Sequence, residues 1–159
     1  MHGAFERDLL RLMKSGYWHE IEIKRTVSDF RADFKKSYDP WLFKDNQSRT
    51  KHETLQAREI PFKDNEYAKC LHVQPKRFYF ALPRGIVDSD EVPEPYGILR
   101  YYPCNRKKVL GITIERQAKD LPNPQKIDDE TRQRFMTSIY YRFWAAVAAA
   151  EKRKEPHEP

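Results

Sequence analysis

In Trp18-His19-Glu20-Ile21-Glu22-Ile23-Lys24, charged and apolar side chains alternate from Glu20 to Lys24, the period of a β-strand. Glu20, Glu22 and Lys24 fall on one face of that strand, Ile21 and Ile23 on the other. Upstream, the short apolar run Asp8-Leu9-Leu10-Arg11-Leu12-Met13 is followed by the turn signal Lys14-Ser15-Gly16. Asp8 to Met13 and Tyr17 to Arg25 therefore read as the two arms of a β-hairpin, with a helix left open for the first arm because Leu and Met are good helix formers. Downstream, Ser28 reads as an N-cap and Asp29 suits the first turn. Phe30 and Phe34 recur one turn apart, so a helix is expected from about Ser28 to Ser37.

From Asp39 to Gln74 the chain is polar and broken by Pro40, Asp45-Asn46 and Pro61. It reads as an insertion or loop region, a lid or partner-binding element more mobile than the sheet, with a short helix expected within Ser48 to Arg58. Trp41-Leu42-Phe43 reads as a small satellite core. Strand character returns at Arg77 to Leu82, at Tyr96 to Tyr102 and at Val109 to Glu115. A long helix follows from an Asp128 or Asp129 cap, with Phe135, Ile139, Phe143 and Val147 at i+4 steps. The charged stretch 151–159 is expected to fray. The fold class is α/β: one domain over 1–150, with a mixed central sheet flanked by helices and a long C-terminal helix.

An acid at Asp8 on one arm and Glu22-Ile23-Lys24 on the next bring two carboxylates together on adjacent strands. That is a hard oxygen site for Mg²⁺ or Mn²⁺, which need only one or two protein carboxylates because water and phosphate oxygens complete the shell. A lysine on the same face, at the open mouth of such a site, can orient the attacking water or stabilise charge on a phosphate. Asp33 and Lys36 read as an exposed pair on the following helix. His19, His52, His72 and His157 share no metal-ligand spacing, nor do Cys70 and Cys104.

The order Asp…Glu-x-Lys, strand to strand to helix, resembles the PD-(D/E)xK, or restriction-endonuclease-like, nuclease superfamily. The wider run Tyr17-Trp18-His19-Glu20-Ile21-Glu22-Ile23-Lys24-Arg25-Thr26-Val27-Ser28-Asp29-Phe30-Arg31-Ala32-Asp33-Phe34-Lys35-Lys36 is similar to the bacterial and phage branch that includes MmcB-like DNA repair proteins. Phe78 to Pro83, Pro93 to Leu99 and Arg142-Phe143-Trp144 resemble later elements of the same branch. Arg7 stands where the signature has proline, and the helix that opens the family's fold is expected to be shortened or absent. The resemblance implies metal-dependent hydrolysis of DNA phosphodiester bonds. It makes Asp8 and Glu22 metal ligands, the backbone carbonyl of Ile23 a third, and Lys24 the catalytic lysine. The alternative it leaves is a nucleic-acid-binding or DNA-repair accessory protein that keeps the fold without cutting.

Composition agrees with a polyanionic partner. Among 159 residues, 30 Lys and Arg against 24 Asp and Glu give a net charge of +6, which attracts nucleic acid without a special motif. Lys35, Lys36, Arg106, Lys107 and Lys108 are the candidates for phosphate contact. No run approaches the roughly 18 apolar residues of a membrane helix, and Glu6, Arg7 and Asp8 stand where a signal peptide is apolar. A soluble, cytoplasmic protein is expected, and self-association into a homodimer is compatible with that.

Overall fold

The computed structural model describes residues 8–64, 74–104, 109–133, 136–137, 140–141 and 144–145. Two compact units, 1–126 and 127–159, divide the chain, and the first holds the sheet. Strand β1 (Leu9–Leu12) and strand β2 (Trp18–Ile23) form the expected antiparallel hairpin, with Leu9 opposite Ile21. The first arm is thus a strand. Its turn closes where Gly16 takes φ +84° and donates to Met13 O at 3.0 Å, a backbone region in which glycine carries no Cβ penalty.

Helix α1 (Val27–Asp33) begins and ends earlier than its sequence suggested. Thr26, rather than Ser28, is the N-cap: its Oγ1 accepts the Asp29 N–H at 3.1 Å. Phe34 caps the C-terminus, so Lys35 and Lys36 follow the helix rather than ride on it. A two-stranded ribbon comes next, β3 (Ser37–Tyr38) against β4 (Arg49–Thr50), and leads directly into helix α2 (Lys51–Gln56). Strands β5 (Arg77–Pro83), β6 (Gly97–Cys104) and β7 (Val109–Arg116) complete a five-stranded sheet in the order β1-β2-β5-β6-β7. β2, β5 and β6 run parallel and the two edge pairs antiparallel. The fold is α/β with a mixed central sheet, as expected.

One face of the sheet carries the main core. Phe78, Phe80 and Leu82 of β5 and Ile98 of β6 are fully buried there with Tyr96, Val92, Phe30 of α1 and Leu55 of α2. Phe30 meets Phe80 edge-on at 5.1 Å, a favoured geometry for aromatic pairs. The register sets Glu20 beside Phe78 and Glu22 beside Phe80, so the charged side of β2 faces this core. Glu20, Glu22 and Lys24 are buried, whereas Ile23 is 38% exposed. The charged face of β2 is an interior polar stripe, and Lys24 does not stand at the expected open mouth.

The stretch from Asp39 onward is built into the fold. Leu42, Phe43 and Phe62 form the satellite core, flanked by Tyr38 and Ile60, with Phe43 and Phe62 stacked at 5.1 Å. The short helix expected between Ser48 and Arg58 is α2, and its Lys51, His52, Thr54 and Leu55 are buried. Residues 65–73 of this stretch lie outside the described residues.

In the second unit, residues 129–133 are helical, as are the described residues beyond them to 145. Asp128 Oδ1 accepts the Thr131 N–H at 2.7 Å, the expected cap. Phe135, Ile139, Phe143, Val147 and 151–159 lie outside the described residues. Among the described residues no helix is long and apolar enough to cross a membrane.

Candidate active site

Leu9 pairs with Ile21 across the hairpin, which brings Asp8, just before β1, to the end of β2. The Ile23 N–H donates to Asp8 Oδ2 at 2.7 Å, fixing the exposed Asp8 at the end of β2. Lys24 follows on the buried side, its N–H donating to Ala81 O at 3.0 Å. The three residues singled out by the sequence therefore gather at one end of one strand.

Lys24 does more than line that end. Its Nζ donates to Asp33 Oδ1 at 2.7 Å and to Glu22 Oε2 at 3.3 Å, with all three side chains buried. Asp33, expected on an exposed face, is 1% exposed. Lys36 does reach it, at 3.0 Å, but from the rim of a buried cluster.

Sequence reasoning missed the contribution of α2. Thr50 and Glu53 form a capping box: Thr50 Oγ1 accepts the Glu53 N–H, and Glu53 Oε2 accepts the Thr50 N–H. This pins Lys51 and His52 in the first turn, above β2. Lys51 Nζ donates to Glu20 Oε1 and to Glu22 Oε1, both at 2.5 Å, and lies 5.0 Å from the Phe78 ring centroid. His52 Nε2 is 2.9 Å from Asp33 Oδ2, and its Nδ1 is 3.1 Å from the Tyr96 hydroxyl. A carboxylate only accepts, so Nε2 carries hydrogen, and in the neutral ring the Tyr96 O–H donates to Nδ1. Gln56 Nε2 donates to the same hydroxyl at 3.2 Å. Tyr96 is held in turn by β7, where the Arg116 guanidinium donates to the carbonyls of Tyr96, Ser89, Val92 and Pro93. The Thr50-x-x-Glu53 spacing was the available signal for α2; no local pattern says which strand it covers.

The electrostatics follow from burial and pairing. Glu22 is held above the usual carboxylate range by burial, which outweighs Lys51 and Lys24 and is reinforced by Glu20. Burial would lift Asp33 as well, but hydrogen bonds from His52, Lys24 and Lys36 carry it well below that range. Burial pulls Lys24 and Lys51 down, and their carboxylate partners more than reverse this, so both are raised. Burial pushes the Tyr96 hydroxyl up to about 12. His19, on the opposite face, is lowered by burial and then by Arg77 and Arg11.

Asp8 and Glu22 supply donors of the right kind for Mg²⁺ or Mn²⁺, and Lys51 shows that a cation is accommodated against Glu22. Among the described residues no three His, Cys, Asp or Glu side chains gather as a metal-binding group. Of the expected phosphate contacts, Lys35 is exposed and Lys36 half so. Arg106, Lys107 and Lys108 lie outside the described residues.

No protein-family model matches the chain, and no curated protein sequence matches it. Among solved structures, a protein of unknown function, SPO1766 from Silicibacter pomeroyi, is similar at 16% identity and a TM-score of 0.47, over 95% of this chain and 77% of that one.

Proposed function

We propose that the chain is a metal-dependent deoxyribonuclease of the PD-(D/E)xK superfamily, acting in the cytoplasm on DNA in repair or phage DNA processing. The observation that carries this reading is the convergence of Asp8, Glu22 and Lys24 at one end of β2. Asp8, Glu22 and the Ile23 carbonyl are the groups to hold Mg²⁺ or Mn²⁺, which when bound supplies a Lewis acid for the phosphate and a more acidic water. Lys24, kept protonated by Asp33 and Glu22, holds a fixed positive charge beside the acids, where negative charge develops on a phosphate oxygen. Lys35 and Lys36 lie just past α1 to meet the DNA backbone, and Arg106, Lys107 and Lys108 are assigned the same role from sequence.

The test is cleavage of plasmid and oligonucleotide DNA by the purified chain with Mg²⁺ or Mn²⁺, compared with an Asp8→Asn variant. Asp8 is exposed, and Asn retains an oxygen for the Ile23 N–H, so the variant should fold as the parent does. The expected result is metal-dependent cleavage lost by about 100-fold or more in the variant at unchanged melting temperature. A parent that does not cut, or a variant that cuts equally well, overturns the reading.

One observation favours the alternative, a DNA-binding accessory protein that does not cleave: both oxygens of Glu22 are taken by ammonium groups. That alternative predicts salt-dependent DNA binding with no cleavage under any metal.

A further inference from the structure

We propose that Lys51 is the resident counter-ion of the Glu20 and Glu22 carboxylates, and that a divalent cation gains Glu22 only as the Lys51 ammonium withdraws to Glu20. The inference rests on the reading of Glu22 as a metal ligand and gives that site a built-in competitor. Lys51 Nζ bridges Glu20 Oε1 and Glu22 Oε1 at 2.5 Å each, so it already occupies one oxygen of the proposed ligand Glu22. Like charges that close repel strongly where water is excluded, and both carboxylates and the lysine are nearly closed to solvent. The Lys51 ammonium and a dication therefore exclude one another from Glu22 Oε1, while Lys24 keeps its own longer contact with Oε2.

Three features make Lys51 a held competitor rather than an incidental pair. Its backbone is anchored by the Thr50–Glu53 capping box and by its own N–H, which donates to Lys36 O at 3.2 Å. Its ammonium sits over the Phe78 ring, a face that favours a cation. Glu20 gives it a second partner on the same strand face, so releasing Glu22 does not leave a buried charge alone, the costly outcome for a desolvated ion. Glu20 thereby acquires a function that the Asp…Glu-x-Lys pattern does not give it: it retains Lys51 when Glu22 is engaged elsewhere.

The two partners give opposite signs, and the test uses both. Mn²⁺ binding to the full chain is titrated by calorimetry, and free Mn²⁺ by electron paramagnetic resonance, for the parent, Lys51→Met, Glu20→Gln and Glu20→Gln/Lys51→Met. Lys51→Met should bind Mn²⁺ about tenfold or more tightly than the parent, because the competing charge is gone. Glu20→Gln should bind it several-fold more weakly, because Lys51 then has only Glu22. Lys51→Met leaves two carboxylates buried together; if it does not fold, the double variant, which removes one charge of each sign, must bind more tightly than the parent. A parent that binds Mn²⁺ with Lys51→Met or the double variant no tighter, or Glu20→Gln no weaker, overturns this inference and leaves the metal-dependent reading standing. Absence of Mn²⁺ binding in all four proteins overturns both.

Discussion

Lys24 and Asp33 form an ion pair 2.7 Å long in which neither side chain is more than 3% exposed. The pair joins the second strand of the hairpin to the last turn of α1, and His52 then carries the connection to α2 through the other oxygen of Asp33. A motif read as chemistry is thus also the tie between the sheet and both helices that cover it. Separate measurements of stability and of catalysis are needed for every residue in it.

Lys24→Ala should lower stability as well as the proposed hydrolysis, because Lys24 is buried rather than at the open mouth its sequence suggested. Removing one partner of a buried pair costs about 3–5 kcal/mol, and Asp33 and Glu22 would each lose an ammonium partner. Denaturant melts should show that loss. Cleavage per folded molecule should fall by a further 10²-fold or so. A variant as stable as the parent would place the Lys24 side chain in solvent.

Asp33→Asn should reveal its effect through pH. The folded Asp33 lies below its unfolded value, so its contribution is fully present above the ordinary carboxylate range near pH 4 and is lost as pH falls toward the folded value. Glu22 is raised and carries the opposite sign, but it is common to both proteins. Melting temperatures of parent and variant should therefore be furthest apart at pH 6–7, by about 3 kcal/mol in stability, and should converge below about pH 4. A gap that is constant with pH would remove the ionised Asp33 from the account.

Thr50→Ala should loosen the first turn of α2 at a cost of about 1 kcal/mol, and Thr50→Ser should restore most of it. Because Lys51 and His52 occupy that turn, hydrogen exchange at their amides should quicken more in Thr50→Ala than at the sheet. Equal protection in parent and variant would show that tertiary packing alone holds the turn.

Phe43→Ala should cost about 3–4 kcal/mol, the usual penalty for emptying a buried aromatic site, since Phe43 is fully buried against Phe62. Deleting 44–58 removes α2 with Lys51 and His52 and should prevent folding. A deletion variant that melts near the parent temperature would return this stretch to the status of a loop.

The hairpin, the three later strands and the Asp128 cap were legible because each is written in local terms: alternation, a glycine turn, an Asp before a helix. That Asp8 comes to the end of β2, where it accepts the Ile23 N–H, follows from a short turn, which leaves few registers. What the local pattern could not specify was which face of β2 would be buried. Alternation separates Glu20, Glu22 and Lys24 from Ile21 and Ile23, and ordinary burial preferences send the isoleucines inward. The reverse holds because Lys51, Asp33 and His52 arrive from α1 and α2 to satisfy the charges, and these are contacts across 9 to 31 positions of chain. The same non-local pairing turned a polar stretch with breakers into a layer of the site.

The interior placement of Glu22 and Lys24 bears on how such a chain changes over evolutionary time. Whatever the chain's activity, a descendant would be penalised for losing either residue, because the fold would suffer first. Asp8 is different: it is exposed and contributes one hydrogen bond to the Ile23 N–H, so drift would reach it early. On the proposed nuclease reading, a retained Glu-x-Lys among relatives of this chain would say that the scaffold persists, and the residue at the Asp8 position would be the better marker of cutting.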